Sequence, residues 1–263
     1  YWEQETYSDR HVLLHVPKGF DPDQPGVMIV FFHGHGATLA RDVRDRQQVP
    51  AQISASGLNA VLVAPQFAVD AADSSAGQFW EPGAFKRFVA EAGSKLARLT
   101  DDPRGEKAFA TMPVVIVGYS GGFLPTAYSL RRGGLDGRVR GVVLLDGMYG
   151  ELDTFATWIA NNRSAFFVSA YTRSTSGRNA ELEQMLRSRG VAFGTSINSV
   201  QSRGGVAFIA TGAVSHRDFV TRAWADHPLQ DLFSRLAEYR SRHLSRGDAA
   251  VTTASLCGAD SCQ

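Results

Sequence analysis

The feature that most constrains the fold is the stretch Val114-Val115-Ile116-Val117-Gly118-Tyr119-Ser120-Gly121-Gly122. Its four β-branched apolar residues predict a short buried strand, and residues 123–130 can continue as a helix. A Gly-x-Ser-x-Gly pattern at such a junction is typical of a sharp strand-to-helix turn that exposes a serine hydroxyl. In such a turn, a Cβ at position 118 or 122 would collide with neighbouring backbone, which explains why Gly118 and Gly122 are glycines.

Strand and helix patterns alternate along the whole chain. This alternation predicts an α/β fold with a mostly parallel sheet and helices on both faces. No linker divides the chain, so we expect one domain over residues 1–246, followed by a polar tail at 247–263. The predicted strands are 10–17 (at an edge), 27–32, 59–64, 114–117, 139–146, 165–171 and 206–210, and the predicted helices are 39–56, 84–99, 123–130, 154–161, 179–189 and 217–242.

The connections between these elements limit what can cover a pocket. Only one short helix fits between the strands 139–146 and 165–171, which leaves no room for a large cap domain. The segment 66–83 is a long loop rich in Ala, Ser, Asp and Gly, and long loops in compact domains are commonly functional. We therefore expect loops, chiefly 66–83 and 171–205, to form the roof of any pocket.

Composition excludes several classes of partner. The chain has 263 residues, 44% hydrophobic and 20% charged, with a formal net charge of +1. Because no long run of one charge sign occurs, we expect no nucleic-acid partner, and no apolar run approaches the roughly 20 residues of a membrane span. Arg41, Arg44 and Arg46 alternate with Asp42 and Asp45, which we interpret as a solvated helix face.

Two cysteines, Cys257 and Cys262, lie near the end of the sequence. They could close a small disulfide ring, which slightly favours an exported protein, periplasmic or extracellular, over a cytoplasmic one. Two free thiols are the alternative. The sequence begins at Tyr1, which leaves open whether a signal peptide or a tag preceded it. The cysteine spacing is not a metal signature, and we expect neither a metal nor a cofactor.

Four motifs occur in a fixed order along the chain: His33-Gly34-His35-Gly36 follows a predicted strand, the Gly-x-Ser-x-Gly turn comes in mid-chain, and an acid and a late histidine follow. This order resembles that of the α/β-hydrolase family, of the serine esterase or lipase kind. In that family the triad runs serine, acid, histidine along the chain. The resemblance spans nearly the whole chain and implies that Ser120 is the nucleophile. It also implies that His216 is the base, because His216 alone among seven histidines lies in a short loop just after the last predicted strand.

The acid departs from the commonest pattern of the family. Many members place it after the strand that corresponds to 165–171, but here residues 172–177 contain no carboxylate. A minority use the end of the preceding strand, which in this sequence is Asp146. We therefore assign Asp146 as the residue that orients the imidazole, with Glu151 and Asp153 as the alternatives.

The resemblance also implies an oxyanion hole of two backbone amides. One would come from Gly121, and the other from His35 or Gly34 in the glycine-rich loop. A metal held by His33 and His35 is not expected, since alternate residues at a strand end point in opposite directions. Loop or near-site aromatics could line the substrate pocket, and these candidates are Tyr119, Trp80 and Tyr149.

The family resemblance implies a serine hydrolase that cleaves a small-molecule carboxylic ester, or an amide, through an acyl-enzyme. A peptidase, an amidase or an acyltransferase would use the same three residues. A binding protein with this fold, in which the three side chains do not meet, is the alternative from another class.

Overall fold

An eight-stranded sheet forms the centre of the protein, with the strand order β7-β6-β5-β4-β2-β3-β1-β8. The computed structural model describes residues 9–135, 137–201 and 203–241, and the backbone of 251–255. Cys257 and Cys262 lie outside the described residues, so the disulfide stays a prediction. The strands are β1 (Val12–Pro17), β2 (Val27–Phe32), β3 (Ala60–Pro65), β4 (Val114–Tyr119), β5 (Val139–Leu145), β6 (Phe166–Tyr171), β7 (Val206–Ala210) and β8 (Val251–Ser255).

Six neighbouring strands, β2 to β7, pair in parallel, whereas β1 runs antiparallel to β3. The predicted mostly parallel sheet is confirmed. Strand 10–17 was expected at an edge, but β8 pairs with the outer side of β1. Residues 251–255, within the segment predicted as a polar tail, thus contribute a strand to the sheet.

Helices cover both faces of the sheet, as predicted. They are α1 (Leu39–Arg46, with π-type hydrogen bonding), α2 (Val49–Ala55), α3 (Ala84–Thr100), α4 (Pro103–Thr111), α5 (Phe123–Arg132), α6 (Leu152–Asn161), α7 (Ser176–Ser188) and α8 (Pro228–Ser234). One face packs against α1, α2 and α8, and the other against α3 to α7. Every residue of β2, β3 and β4 is buried, because these central strands have helices on both sides.

The end of the chain contains less helix than the sequence predicts. Residues 217–242 were expected to be mostly helical, yet α8 is the main helix there, flanked by short 3₁₀ turns at His216–Asp218 and Ala237–Tyr239. Pro228 occupies the first turn of α8, where its missing N–H costs nothing. It therefore begins a helix, and His227 before it has a left-handed φ of 56°.

The carboxyl ends of the parallel strands meet at one edge of the sheet, which is where open α/β sheets bind ligands. The glycine-rich loop follows β2, Ser120 follows β4 and Asp146 follows β5. Strand β6 leads into Thr172, and the loop after β7 leads to His216. The fold thus brings segments that are far apart in sequence to a single edge.

Candidate active site

Ser120 lies on the turn between β4 and α5 with a φ of 53°, a left-handed conformation that is rare outside glycine. The neighbouring glycines let this turn pack closely. A Cβ on Gly122 would overlap the carbonyl oxygen of Phe32, and a Cβ on Gly118 would lie 2.9 Å from the carbonyl oxygen of Gly122. The turn therefore has the sterically tight geometry that the sequence predicted, with the serine at its apex.

The structure brings Ser120, His216 and Asp146 together. His216 Nε2 lies 2.9 Å from Ser120 Oγ, and His216 Nδ1 lies 2.7 Å from Asp146 Oδ2. The alternative acids lie elsewhere: Glu151 pairs with Arg131, and the Asp153 side chain is 92% exposed. Asp146 is the carboxylate that meets the imidazole.

Asp146 is fully buried, and hydrogen-bond donors surround its carboxylate. Oδ1 accepts the backbone N–H of Thr172 at 3.0 Å and the hydroxyl of Thr175 at 2.5 Å, and the Thr172 hydroxyl lies 3.0 Å from both oxygens. Burial alone would raise the pKa of Asp146, but the hydrogen bonds from His216, Thr175 and Thr172 hold that pKa below its ordinary value of 3.8. Asp146 is therefore ionised at neutral pH.

The two threonines are residues that sequence reasoning missed. They follow β6, at the position where the sequence lacks the expected carboxylate. The signal that could have found them is the hydroxyl-rich run 172–176, since hydroxyls at a strand end can hold a carboxylate from the neighbouring strand.

Tyr119 was predicted to line the substrate pocket, and the structure packs its side chain against His216. Its side chain is buried, its hydroxyl donates to the His216 carbonyl at 2.8 Å, and the two rings stack with centroids 5.2 Å apart. Burial raises the pKa of Tyr119 to about 12, so the hydroxyl keeps the proton that it donates. The Tyr119 side chain contacts His216 through both its hydroxyl and its ring.

The backbone amides predicted for an oxyanion hole lie beside the serine. A Cβ on Gly34 would lie 3.0 Å from Ser120 Cβ, and a Cβ on Gly121 would lie 3.5 Å from the His35 nitrogen. The position of that Cβ on Gly121 is already occupied by the side chain of Ser74, from the loop predicted as a roof. A cavity of about 10 Å³ remains between these segments, close to the minimum volume for one water.

His33 fixes the start of the glycine-rich loop. It is buried, and both ring nitrogens are hydrogen-bonded: Nδ1 donates to the Gly34 carbonyl at 2.8 Å, and Nε2 accepts the Phe67 N–H at 2.9 Å. Burial lowers the pKa of His33, which keeps the ring neutral in these roles. Among the residues that the structure describes, no group of three or more His, Cys, Asp or Glu side chains could hold a metal.

The two other predicted pocket aromatics differ in their distance from Ser120. Tyr149 is 43% exposed, and its ring is tilted by 49° against the Phe123 ring with the centroids 5.7 Å apart. Burial raises the Tyr149 pKa, and the neighbouring Ser120 side chain opposes the shift. Trp80 is also exposed, and its carbonyl accepts a hydrogen bond from the Arg132 side chain. Arg132 is the last residue of α5, whose length of about 15 Å separates it from the serine turn. Tyr149 is thus beside the serine, whereas the Trp80 backbone contacts the residue that ends α5.

The interpretation of residues 41–46 as a solvated helix face is wrong for one of them. Arg44 and Asp45 do form an exposed ion pair. Asp42 is buried, and its side chain accepts hydrogen bonds from both Arg41 and Arg46. Asp42 was taken for a surface residue, because alternating charges along a helix do not reveal which of the side chains is buried.

Chemically, the arrangement can activate a hydroxyl. An imidazole between a serine and a buried carboxylate can accept the serine proton through Nε2, while the carboxylate stabilises the resulting imidazolium through Nδ1.

Solved structures with a similar architecture share little sequence with this chain. An IroE-like serine hydrolase from Shewanella oneidensis is 13% identical, with a TM-score of 0.49 over 86% of this chain and 74% of that chain. Esterase 2 of Thermogutta terrifontis, phosphorylated by paraoxon, is 10% identical, with a TM-score of 0.49 over 85% of this chain and 84% of that chain. No family model and no curated protein matches the chain. Because these identities are so low, we infer function from the site geometry alone.

Within the described part of the chain, the helices are too short or too polar to cross a bilayer.

Proposed function

We propose that the protein is a serine hydrolase that cleaves carboxylic esters through an acyl-enzyme. One observation carries the proposal: the continuous hydrogen-bonded chain from Ser120 Oγ through His216 to Asp146, with distances of 2.9 and 2.7 Å. These are the distances at which a base can remove a hydroxyl proton and a carboxylate can orient that base.

In the proposed reaction, Ser120 Oγ attacks the ester carbonyl carbon while its proton passes to His216 Nε2. The tetrahedral intermediate collapses when the C–O bond to the alcohol breaks and Nε2 returns its proton to the departing oxygen. The acyl group is then an ester of Ser120. Water gives a proton to Nε2 and attacks this ester, and Ser120 recovers that proton as the carboxylic acid leaves.

The negative charge on the intermediate needs donors that are already in place. The amide of Gly121 and the amide of His35 or Gly34 are proposed for this role, supported by their position beside Ser120. Removing one such donor typically costs about 10²–10³-fold in kcat. Tyr149, which is exposed beside Ser120, is proposed as a contact for the substrate, whereas the position of Trp80 gives that role no support.

The proposal is tested with a fluorophosphonate probe, which labels an activated serine. Wild-type protein should be labelled, Ser120→Ala should not, and His216→Gln should be labelled far more slowly. Ser94→Ala, an exposed serine on α3, is the matched control and should be labelled like wild type. A well-folded wild-type protein that neither reacts with the probe nor hydrolyses any of a panel of p-nitrophenyl esters would favour the binding-protein alternative.

The same three residues could serve an amide, so the leaving group is tested separately. A p-nitrophenyl ester and a p-nitroanilide of the same acyl group differ only in the atom that leaves. We expect rapid release of nitrophenol and slow release of nitroaniline. Comparable kcat/KM values for the two would move the assignment to an amidase or peptidase.

A further inference from the structure

We infer that Asp42, with Arg41 and Arg46, couples the loop that presents the oxyanion donors to the loop that carries His216. The inference rests on the proposed function, because it assigns these three residues a positioning role in the same reaction. None of them touches the reacting atoms. We call them the Arg41–Asp42–Arg46 cluster.

The carboxylate of Asp42 is the centre of the cluster. Its side chain is 7% exposed. Oδ2 accepts the Thr38 N–H at 2.8 Å and the Arg41 Nε and Nη2 at 2.9 and 2.7 Å, and Oδ1 accepts Arg46 Nε at 3.0 Å. Both oxygens are thus occupied by donors, and two positive charges surround one buried negative charge.

Each arginine also reaches one of the two functional loops. Arg41 Nη2 donates to the Gly36 carbonyl at 3.0 Å, in the residue after His35. Arg46 Nη1 donates to the Arg217 carbonyl at 2.8 Å, in the residue after His216. The Asp42 carboxylate therefore lies between two contacts that hold the backbone on either side of the site.

The residue types suit this arrangement. A guanidinium has several donors in a fixed plane, so one arginine can bind a carboxylate and a carbonyl at once. A lysine ammonium at position 46 is a compact point charge and would have to favour one partner over the other. The neighbouring ion pair of Arg44 and Asp45 is on the same helix and is exposed, and its two side chains hydrogen-bond each other.

The coupling would matter because one loop supplies the proposed oxyanion donors and the other supplies His216, and both have to be aligned with Ser120 at the same time. The imidazole of His216 has to stay 2.9 Å from Ser120 Oγ while the donors near Gly121 face the developing oxyanion. A misplacement of about 1 Å in such an arrangement can cost about 10²-fold in rate. A shared buried carboxylate holds both loops against the same helix.

The test compares Asp42→Asn and Arg46→Lys with Asp45→Asn as the matched control. With a p-nitrophenyl ester, we expect Asp42→Asn to lower kcat by about 10- to 100-fold, and Arg46→Lys by about 10-fold, with little change in KM. Asp45→Asn should retain the wild-type kcat. Circular dichroism and thermal unfolding report whether each variant folds, and Arg46→Lys, which keeps the charge, decides the result if Asp42→Asn does not fold. An unchanged kcat in folded Arg46→Lys would overturn the inference.

A second readout does not need catalysis. Arg46→Lys changes a direct contact with the His216 loop only, so coupling predicts faster amide hydrogen exchange at residues 34–37 as well as at 215–218. Faster exchange confined to 215–218 would overturn the coupling, even if kcat falls. If wild-type protein is inactive with esters and with the fluorophosphonate probe, the proposed function fails, and the exchange data still decide whether the cluster couples the loops.

Discussion

Replacing Asp146 with asparagine keeps the volume of the side chain and removes its charge. The fixed donor at this site is the Thr172 N–H, which lies 3.0 Å from Asp146 Oδ1 and cannot rotate. The amide oxygen of the asparagine should therefore occupy the Oδ1 position, which turns the NH₂ group toward His216 Nδ1. Two donors would then meet, so the imidazole has to shift its proton to Nε2. In that tautomer, Nε2 can no longer accept the proton of Ser120.

The expected loss follows from this wrong tautomer. The same substitution in a Ser-His-Asp enzyme of another fold lowers kcat by about 10⁴-fold. Four factors of ten correspond to about 5.4 kcal/mol in the activation free energy. If the substitution only removed contacts that orient the imidazole, the decrease in rate should be smaller, because the Tyr119 hydroxyl also holds the His216 carbonyl at 2.8 Å. We therefore expect a fall in acylation rate of about 10³- to 10⁴-fold.

The assay is the second-order rate constant of fluorophosphonate labelling, supported by the pre-steady-state burst with a p-nitrophenyl ester. Asp153→Asn removes an exposed carboxylate from the same connection between strands and is the control, which should label at the wild-type rate. If folded Asp146→Asn is labelled at a rate within about tenfold of wild type, the substitution does not force the imidazole into the unreactive tautomer.

Three further outcomes follow from the structure. Tyr119→Phe keeps the ring stacked on His216 but removes the hydroxyl, so kcat should fall by a few fold to about 10-fold with KM unchanged, and Tyr119→Leu should lose more; equal losses would contradict a role for the ring. Gly121→Ala should slow labelling because its Cβ meets the Ser74 side chain, and adding Ser74→Gly should restore part of the rate; no recovery in the double variant would place the cause elsewhere. The pKa of Asp42 is also informative: burial raises it, but hydrogen bonds from the neighbouring arginines and backbone hold it below 3.8, so the stabilisation by its charge is complete above that value and is lost as pH falls through the folded pKa. Urea unfolding from about pH 5 to 2 should show the stability advantage of wild type over Asp42→Asn shrinking as pH falls, and a constant difference would contradict this sign.

The sequence predicted the parts of the fold that depend on continuous burial. Strands such as Val27–Phe32 and Val114–Tyr119 are apolar runs because both of their faces are covered, and such runs are visible without a structure. Strand Val251–Ser255 was missed, since it is short, partly polar and pairs with β1 at the edge of the sheet. The prediction of a helix over residues 217–242 failed in part because Pro228, within that range, starts a separate short helix.

The candidate site was predictable where position along the chain defines a residue. Ser120 is marked by its glycines, and His216 by its place after the last predicted strand. Residues that act through tertiary contacts left no such mark. Asp42 has the local sequence of a surface residue, yet its side chain is buried, and its partner Arg46 donates to the carbonyl of Arg217 in the His216 loop. Local sequence contains no information about a carbonyl 171 positions away.

The position of the acid explains why residues 172–177, after β6, contain no carboxylate. Strands β4 and β5 are paired so that Tyr119 lies opposite Leu145, which places Ser120 and Asp146 directly after partners in one ladder. Asp146 then adopts a φ of 43°, and its N–H donates to the carbonyl of Ala170 in β6. The end of β6 needs no carboxylate in this arrangement. A second carboxylate there would lie against Asp146, whereas the hydroxyls that follow β6 donate to it and keep it ionised. The carboxylate after β5 and the hydroxyls after β6 therefore depend on each other: with the acid at Asp146, the segment after β6 has to supply hydrogen-bond donors.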